Sequence, residues 1–214
     1  MWGRVPPDSP FFTIFYIYIY YMILLKDLLL EIRRRVESRT EKYIQAKIKQ
    51  YIKDKNVGNF DISGLGLTKL PALLKNLKIG KSFDCGYNRL DSLVGAPTGV
   101  GGKFDCRYNI LTSLVGAPVS VGLDFFCGFN QLDSLVGAPT SVGLGFYCSY
   151  NKLTSLVGAP TSVGGSFYCN KNNLDSLVGA PTSVGGSFNC SNNVVKFTEE
   201  QVRAVCDVKG NIHV

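Results

Sequence analysis

Residues 104–124 read FDCRYNILTSLVGAPVSVGLD, and residues 125–145 repeat them as FFCGFNQLDSLVGAPTSVGLG. The same block recurs along most of the chain and sets six cysteines 21 residues apart: Cys85, Cys106, Cys127, Cys148, Cys169 and Cys190. A repeat of about 20 to 29 residues is typical of a solenoid, in which each repeat forms one coil and consecutive coils stack. The period therefore predicts a continuous core shared by about seven coils.

One repeat already indicates how a coil is built. Phe104 and Cys106 are two residues apart, so a short strand would point both side chains to the same inward face. The asparagine that follows is expected to end the strand and to bond backbone groups at the turn. Stacked coils would then form an asparagine ladder of Asn88, Asn109, Asn130, Asn151, Asn172 and Asn193. Pro118 and Gly122 are expected to turn the chain back, because Pro fixes φ and Gly permits positive φ. A unit of 21 residues has room for one strand and an extended or turn-like return.

The repeat resembles a known family. F-x-C-x-x-N-x-L-x-x-L is similar to the core of the leucine-rich repeat, with Phe and Cys in place of the first two leucines. The longer phrase FxCxxNxLxSLxGAPxxVGG resembles a short variety of these repeats found in bacteriophage and some bacterial proteins, over roughly residues 57–214. The resemblance implies a right-handed leucine-rich-repeat solenoid with short parallel strands, a helical N-terminal cap and a small C-terminal helix-strand cap. It also implies a bacteriophage origin.

Composition divides the chain into four parts. They are a hydrophobic extension (residues 1–22), a helical cap (23–56), the solenoid (57–197) and the C-terminal cap (198–214). The helical cap is either one long helix or two helices that meet near residue 38, where Ser38 and Glu41 match a capping box. Its apolar side chains form two stripes at helical spacing, either of which can cover the first coil. The stripes are Leu25, Leu28, Leu29, Ile32 and Val36, and Ile44, Ile48, Tyr51 and Ile52.

The segment 11–25 leaves three interpretations open. It carries no charge, but it is shorter than the roughly 20 residues that a spanning helix needs. The alternation of Ile and Tyr within it favours a strand. In the first interpretation, translation starts at Met22 and the segment is absent. In the second, the segment attaches the protein to a membrane, and in the third it is buried against a partner.

The distribution of charge and the use of cysteine indicate which ligands, cofactors and compartments are expected. Residues 26–55 hold ten Lys or Arg and five Asp or Glu, most of the chain's net charge of +7. Such a helix contacts nucleic acid or anionic lipid in some proteins, but we expect an ordinary solvated face and no nucleic-acid partner. The repeated cysteines have parallel side chains and His213 is the only histidine, so we expect neither disulfides, metal nor any other cofactor. Reduced cysteines predict the cytoplasm, which is the host cytoplasm if the protein is viral, with membrane association as the alternative.

The exposed strand face is the candidate site. Aromatic side chains cluster there in the middle coils: Tyr87, Tyr108, Phe126, Phe129, Tyr147, Tyr150 and Tyr168. Exposed aromatic clusters are typical of protein-binding surfaces, although stacked rings also stabilise neighbouring strands without binding anything. We expect no enzyme, because nothing in the sequence supplies a general base or a phosphate-binding loop. The sequence therefore predicts a protein-interaction module with a host or viral partner. The alternative is a structural virion or membrane-associated component held by its N-terminal segment. The sequence does not indicate an oligomeric state.

Overall fold

The computed structural model describes residues 10–55 and 57–214, with side chains from residue 18 onward. The chain divides into two compact units, which meet at Ala46 and Lys47 along the sequence. The second unit, Lys47–Val214, contains the repeats, and they form a solenoid of parallel strands with about seven coils. An N-terminal helix and a small C-terminal helix with strands accompany the solenoid, so the predicted fold class is confirmed.

Fourteen short strands form the coils. In chain order they are β1 (Phe60–Asp61), β2 (Phe83–Asp84), β3 (Gly99–Val100), β4 (Phe104–Asp105), β5 (Ser120–Val121), β6 (Phe125–Phe126), β7 (Ser141–Val142), β8 (Phe146–Tyr147), β9 (Ser162–Val163), β10 (Phe167–Tyr168), β11 (Ser183–Val184), β12 (Phe188–Asn189), β13 (Asp207–Val208) and β14 (Ile212–His213). The helices are α1 (Pro10–Lys53), a 3-10 turn at Ala72–Asn76, and α2 (Glu199–Val205).

The first sheet contains eight strands in the order β1-β2-β4-β6-β8-β10-β12-β14. Its register places each phenylalanine opposite the phenylalanine of the next coil, for example Phe104 opposite Phe125. Their fully buried rings follow one another at centroid distances of 5.2–5.9 Å. The six repeated cysteines are buried beside them and carry free thiols. The inward direction predicted for Phe and Cys is therefore confirmed.

Of the extended or turn-like return predicted for each coil, the extended alternative is present, and its short strands pair into a second parallel sheet. Its six strands follow the order β13-β11-β9-β7-β5-β3. Five of them come from the S-V-G or G-V-G segment of a repeat, and β13 belongs to the C-terminal cap. Val121 and its counterparts are buried and close the other side of the core. The glycine that follows allows the coils to approach closely. A Cβ atom at Gly122 would lie only 2.1 Å from the carbonyl oxygen of Gly101.

The predicted asparagine ladder follows six of the eight strands of the first sheet, β2, β4, β6, β8, β10 and β12. The Nδ2 group of Asn109 donates to the carbonyl oxygens of Cys85 and Cys106, both at 3.1 Å. Its Oδ1 atom accepts from the backbone N–H of Leu90 at 2.9 Å. Each asparagine therefore joins its own coil to the preceding one, and this pattern recurs along the stack.

Helix α1 is continuous, so the strand expected within residues 11–25 is wrong, and of the two alternatives for the helical cap the single long helix is confirmed. Ser38 lies inside the helix, flanked by i,i+4 ion pairs such as Arg33 with Glu37 at 2.8 Å. A helix satisfies its own backbone hydrogen bonds, whereas a strand requires a neighbouring strand. Residues 1–9 of the predicted extension, and the side chains of 10–17, lie outside the described part. Over the residues that the structure describes, no helix is long and apolar enough to cross a membrane.

The two predicted apolar stripes of α1 have different outcomes. Leu25, Ile32 and the rest of the first stripe are exposed to solvent rather than buried. In the second unit, Ile48 and Tyr51 are buried, and the Tyr51 ring meets Phe60 edge-on at a centroid distance of 5.2 Å. The Lys47 ammonium group donates to the carbonyl oxygen of Asp61 in β1. The last turns of the helix therefore cover the first edge of the sheet, which would otherwise present an unpaired carbonyl.

The far end of the solenoid closes with α2 and the strands that follow it. A capping box begins α2, because Gln201 N–H donates to Thr198 Oγ1 at 3.2 Å and Thr198 N–H donates to Gln201 Oε1 at 2.9 Å. Val202 is buried, whereas Val205 is exposed. β13 and β14 extend the second and first sheets, respectively.

Candidate binding surface

The seven predicted site residues all lie on the outer face of the first sheet, but they form two parallel columns rather than one stripe. The strand column contains Phe126, Tyr147 and Tyr168, which are the second residues of β6, β8 and β10. The turn column contains Tyr87, Tyr108, Phe129 and Tyr150, each two residues after the cysteine of its coil. Two residues of each coil lie between the columns: the cysteine, which is buried, and the residue after it, which forms the floor between them.

The turn column is closely stacked on an unusual backbone. Its successive centroids are 4.4, 4.4 and 4.1 Å apart, with ring planes within 15° of parallel. All four residues have φ between 53° and 59°, in the left-handed region. Residues other than Gly and Asn rarely adopt a left-handed backbone, because this conformation costs them roughly 1–2 kcal/mol each. The inter-coil bond from Tyr87 N–H to the Arg107 carbonyl, at 2.9 Å, and its counterparts hold the backbone there.

The strand column depends on a glycine, which leaves room for one of its rings. Phe126 and Tyr147 stack at 4.8 Å, whereas Tyr147 and Tyr168 meet at 5.3 Å with planes 82° apart. The Tyr147 ring lies over Gly145, where a Cβ atom would be only 2.4 Å from the ring. The equivalent residue in neighbouring coils is Asp124 or Ser166. Burial, followed by the charge of Asp124, raises the pKa of Tyr147. Gly145 was not among the predicted site residues, although its departure from the repeat was a visible signal.

Cations cover the ends of the columns. The Arg107 guanidinium group lies 4.7 Å from the Phe126 centroid and is held by Asp105, with an Nη2–Oδ2 distance of 2.6 Å. At the other end, the Lys171 ammonium group lies 4.5 Å from the Tyr150 centroid and donates to the Tyr150 hydroxyl. Most ring faces are therefore covered by a neighbouring ring or a cation, and the ring edges remain available.

A groove lies between the columns. It encloses a cavity of about 260 Å³ with Gly128, Ser149 and Asn170 along its floor and the two aromatic columns as its walls. The Ser149 hydroxyl donates to Asn170 Oδ1 at 2.6 Å. The groove follows the stacking direction, so a ligand lying in it contacts several consecutive coils.

Covalent and metal chemistry have little support at this surface. Burial raises the pKa of every repeated cysteine, to about 11 at Cys190. A buried neutral thiol is a poor nucleophile. Within residues 10–55 and 57–214, no group of three or more His, Cys, Asp or Glu side chains is arranged to hold a metal ion. The surface therefore offers contact area and hydrogen bonding rather than reactive groups.

No protein-family model matches this sequence, and no curated protein matches it either. A proposal of function consequently rests on the geometry of the surface.

Proposed function

We propose that this protein is a non-enzymatic protein-interaction module that binds its partner through the aromatic surface, meaning the two columns and the groove between them. The observation that carries this proposal is the position of the aromatic residues. The inward Phe, Cys, Asn and Leu are nearly invariant among coils, whereas the outer strand positions change from acidic residues to aromatic ones in the middle coils. A solenoid presents these outer positions to a partner on a rigid frame.

The backbone of the turn column supports a role for its side chains. Gly or Asn adopts a left-handed backbone at lower energy than Tyr or Phe. Four aromatic residues nevertheless occupy these positions, and Tyr87 is 60% exposed while Phe129 is 37% exposed. Ring stacking repays part of the backbone energy. An exposed aromatic cluster fixed in this way loses little conformational entropy when it binds a partner.

The orientation of the rings favours a protein partner over a nucleic acid. Binding of single-stranded nucleic acid uses free ring faces on which bases stack. Here neighbouring rings cover each other at 4.1–4.8 Å, and Arg107 and Lys171 cover the outer faces of Phe126 and Tyr150. Exposed ring edges and a polar floor suit the side chains of a polypeptide.

The finer identity of the protein is also a proposal. The F-x-C-x-x-N-x-L-x-x-L pattern and the asparagine ladder support a leucine-rich repeat of the short bacteriophage variety. A phage origin would place the protein in the host cytoplasm, with a host or viral protein as its partner. The alternative is a structural virion or membrane-associated component, and one observation favours it. The apolar side chains of α1 between Tyr18 and Val36 are exposed, and several of them are at least half exposed.

The test is quantitative capture of the partner by the full chain and by Tyr147→Ala combined with Tyr150→Ala. Each truncation at the centre of an interface is expected to cost about 2 kcal/mol or more, so binding should fall at least hundredfold. Val136→Ala with Val157→Ala is a matched control, because both valines are exposed apolar residues outside the surface. Far-UV circular dichroism checks that each variant folds.

Two results would count against the proposal. A folded Tyr147→Ala, Tyr150→Ala variant that retains the partner at wild-type affinity would show that the aromatic surface is not the binding site. Capture that survives in this variant but is lost on deletion of residues 1–21 would instead favour attachment through the N-terminal segment.

A further inference from the structure

The floor of the groove contains backbone donors that the fold itself leaves open. In a continuing parallel ladder, the N–H group of Gly128 would donate to the carbonyl oxygen of Cys106 in the preceding coil. That carbonyl oxygen already accepts from the amide groups of Asn109 at 3.1 Å and Asn130 at 3.0 Å. The asparagine ladder therefore displaces the N–H group of the residue that follows each cysteine.

Four coils satisfy this N–H group internally. The side chain two residues earlier accepts its hydrogen bond, and in the first three coils this acceptor is a carboxylate. Asp61 accepts from Ser63 at 2.8 Å, Asp84 from Gly86 at 2.8 Å and Asp105 from Arg107 at 3.0 Å. In the last coil, Asn189 Oδ1 accepts from Ser191 N–H at 3.1 Å.

Three adjacent coils lack this internal acceptor, because the residue in question is Phe126, Tyr147 or Tyr168. Among the residues that the structure describes, none accepts a hydrogen bond from the N–H groups of Gly128, Ser149 and Asn170. Gly128 is buried, which raises the free energy of leaving its N–H group unpaired. The three donors are about 4.8 Å apart, the spacing of neighbouring strands, and they lie along the floor of the groove.

The surroundings of these donors favour a negatively charged acceptor. Ring edges carry partial positive charge, and both columns turn edges outward. A cation stands at one end of each column: Lys171 beside Tyr150, and Arg107, whose charge Asp105 balances, beside Phe126. The nearby acids already have partners, since Asp105 binds Arg107 and Asp124 lies 3.4 Å from the Lys103 ammonium group. The same fold uses carboxylates for this N–H group in three other coils.

We infer that the groove binds an acidic segment of the partner protein. Asp or Glu carboxylates of that segment accept hydrogen bonds from the N–H groups of Gly128, Ser149 and Asn170, in the place that Asp105 occupies in its own coil. This inference rests on the proposed function and specifies the chemistry of the partner.

Spacing selects the probe peptide. A polyproline II helix rises about 9.3 Å per three residues. Two coils of the solenoid span about 9.6 Å, which is the separation expected between the donors of Gly128 and Asn170. A (Glu-Pro-Pro)4 peptide therefore places successive carboxylates in register with these two donors. The matched (Gln-Pro-Pro)4 peptide keeps the same backbone and removes the charge.

The experiment measures binding of both labelled peptides to the full chain by fluorescence anisotropy. The Glu peptide should bind, with affinity that falls as salt rises. The Gln peptide should bind at least about tenfold more weakly, because hydrogen bonds to charged groups are the stronger ones. Two variants separate the donors from the rings. Tyr168→Ala and Tyr168→Asn both remove a ring, but only Asn supplies an internal acceptor for Asn170 N–H, as Asn189 does for Ser191 N–H. The Asn variant should bind the Glu peptide about tenfold more weakly than the Ala variant.

Three results would contradict different parts of the inference. Absence of Glu-peptide binding, or equal affinity for the two peptides, would overturn the acidic specificity, while the capture experiment with Tyr147→Ala and Tyr150→Ala still decides whether the surface binds a protein. Equal affinities of the Tyr168→Ala and Tyr168→Asn variants would overturn the role of the backbone donors. An oligothymidylate that binds more tightly than the Glu peptide and displaces it would show that the anion is a nucleic acid.

Discussion

Loss of two neighbouring asparagines from the ladder is expected to destabilise the solenoid by more than the sum of the separate losses. The reason is that neighbouring asparagines share a carbonyl group. Cys106 O accepts from Asn109 Nδ2 at 3.1 Å and from Asn130 Nδ2 at 3.0 Å. Either substitution alone leaves this buried oxygen with one donor, whereas the double substitution leaves it with none.

The magnitudes follow from the bonds that are lost. Asn109→Ala leaves the N–H group of Leu90 without its acceptor, and Leu90 is fully buried. An unsatisfied buried donor costs about 1–3 kcal/mol, and the hydrogen bonds from the amide to the carbonyl oxygens of Cys85 and Cys106 are lost as well. We expect about 3 kcal/mol for Asn109→Ala and for Asn130→Ala, whose Oδ1 accepts from Leu111 N–H. In the double variant, the unsatisfied oxygen of Cys106 adds a coupling free energy of about 1–3 kcal/mol.

Equilibrium unfolding in urea, followed by far-UV circular dichroism, measures this coupling. Asn109→Ala with Asn151→Ala is the matched control, because it removes two asparagines that share no carbonyl group. The control pair should be additive within about 0.5 kcal/mol. If the losses of unfolding free energy were additive in both pairs, the reasoning would be refuted, because the shared carbonyl group would then contribute no coupling free energy.

Two further perturbations test the interior. Burial raises the pKa of Cys148 above its ordinary value of 9.0. Above pH 9 the unfolded chain therefore releases the thiol proton while the folded chain keeps it. The contribution of Cys148 to the free energy of unfolding is complete below pH 9 and is lost as the pH rises above it. Cys148→Ala should therefore make the fall in unfolding free energy between pH 9 and pH 10 less steep by about 1 kcal/mol, and an unchanged slope would show that the thiol is not held neutral. Gly122→Ala places a Cβ atom 2.1 Å from the Gly101 carbonyl oxygen and should cost roughly 1–3 kcal/mol in urea unfolding. Gly99→Ala, whose nearest contact is Ser120 Oγ at 3.4 Å, should cost much less, and equal losses would contradict the close approach.

The interior of the solenoid was predictable because it repeats. Phe104, Cys106 and Asn109 recur at one spacing, and a residue in the same position of every coil meets its own counterparts above and below. Inward direction, stacking and the asparagine ladder all follow from that single fact. The length of α1 was not predictable in the same way, because no repeat constrains it and two alternatives fitted the apolar pattern equally well.

The second sheet was missed for a physical reason. Ser120-Val121-Gly122 contains the residues of a turn as well as those of a strand, and two-residue strands give no alternation to detect. Only the stack shows that Val121 fills the core while Gly122 lies against the preceding coil. A β-branched residue kept at one position of most repeats was the available signal.

The split of the aromatic residues into two columns depended on the backbone. Strand alternation places Phe126 on the outer face. Phe129 itself has a left-handed backbone, which aromatic residues rarely adopt, so propensity could not predict where its ring points. The groove between the columns was therefore invisible in the sequence, although the aromatic residues of its walls were predicted.

One substitution per coil links stability to the inferred binding. The asparagine ladder strengthens every coil by taking the cysteine carbonyl, and in doing so it frees one N–H group per coil. Where the outer residue is Asp, as at Asp105, the coil satisfies that group and is complete in itself. Where it is aromatic, as at Tyr147, the coil gains a half-buried ring and leaves a donor open at the same position. A change from Asp to Tyr at this one site therefore leaves the core untouched and supplies both the wall and the floor of the proposed binding surface.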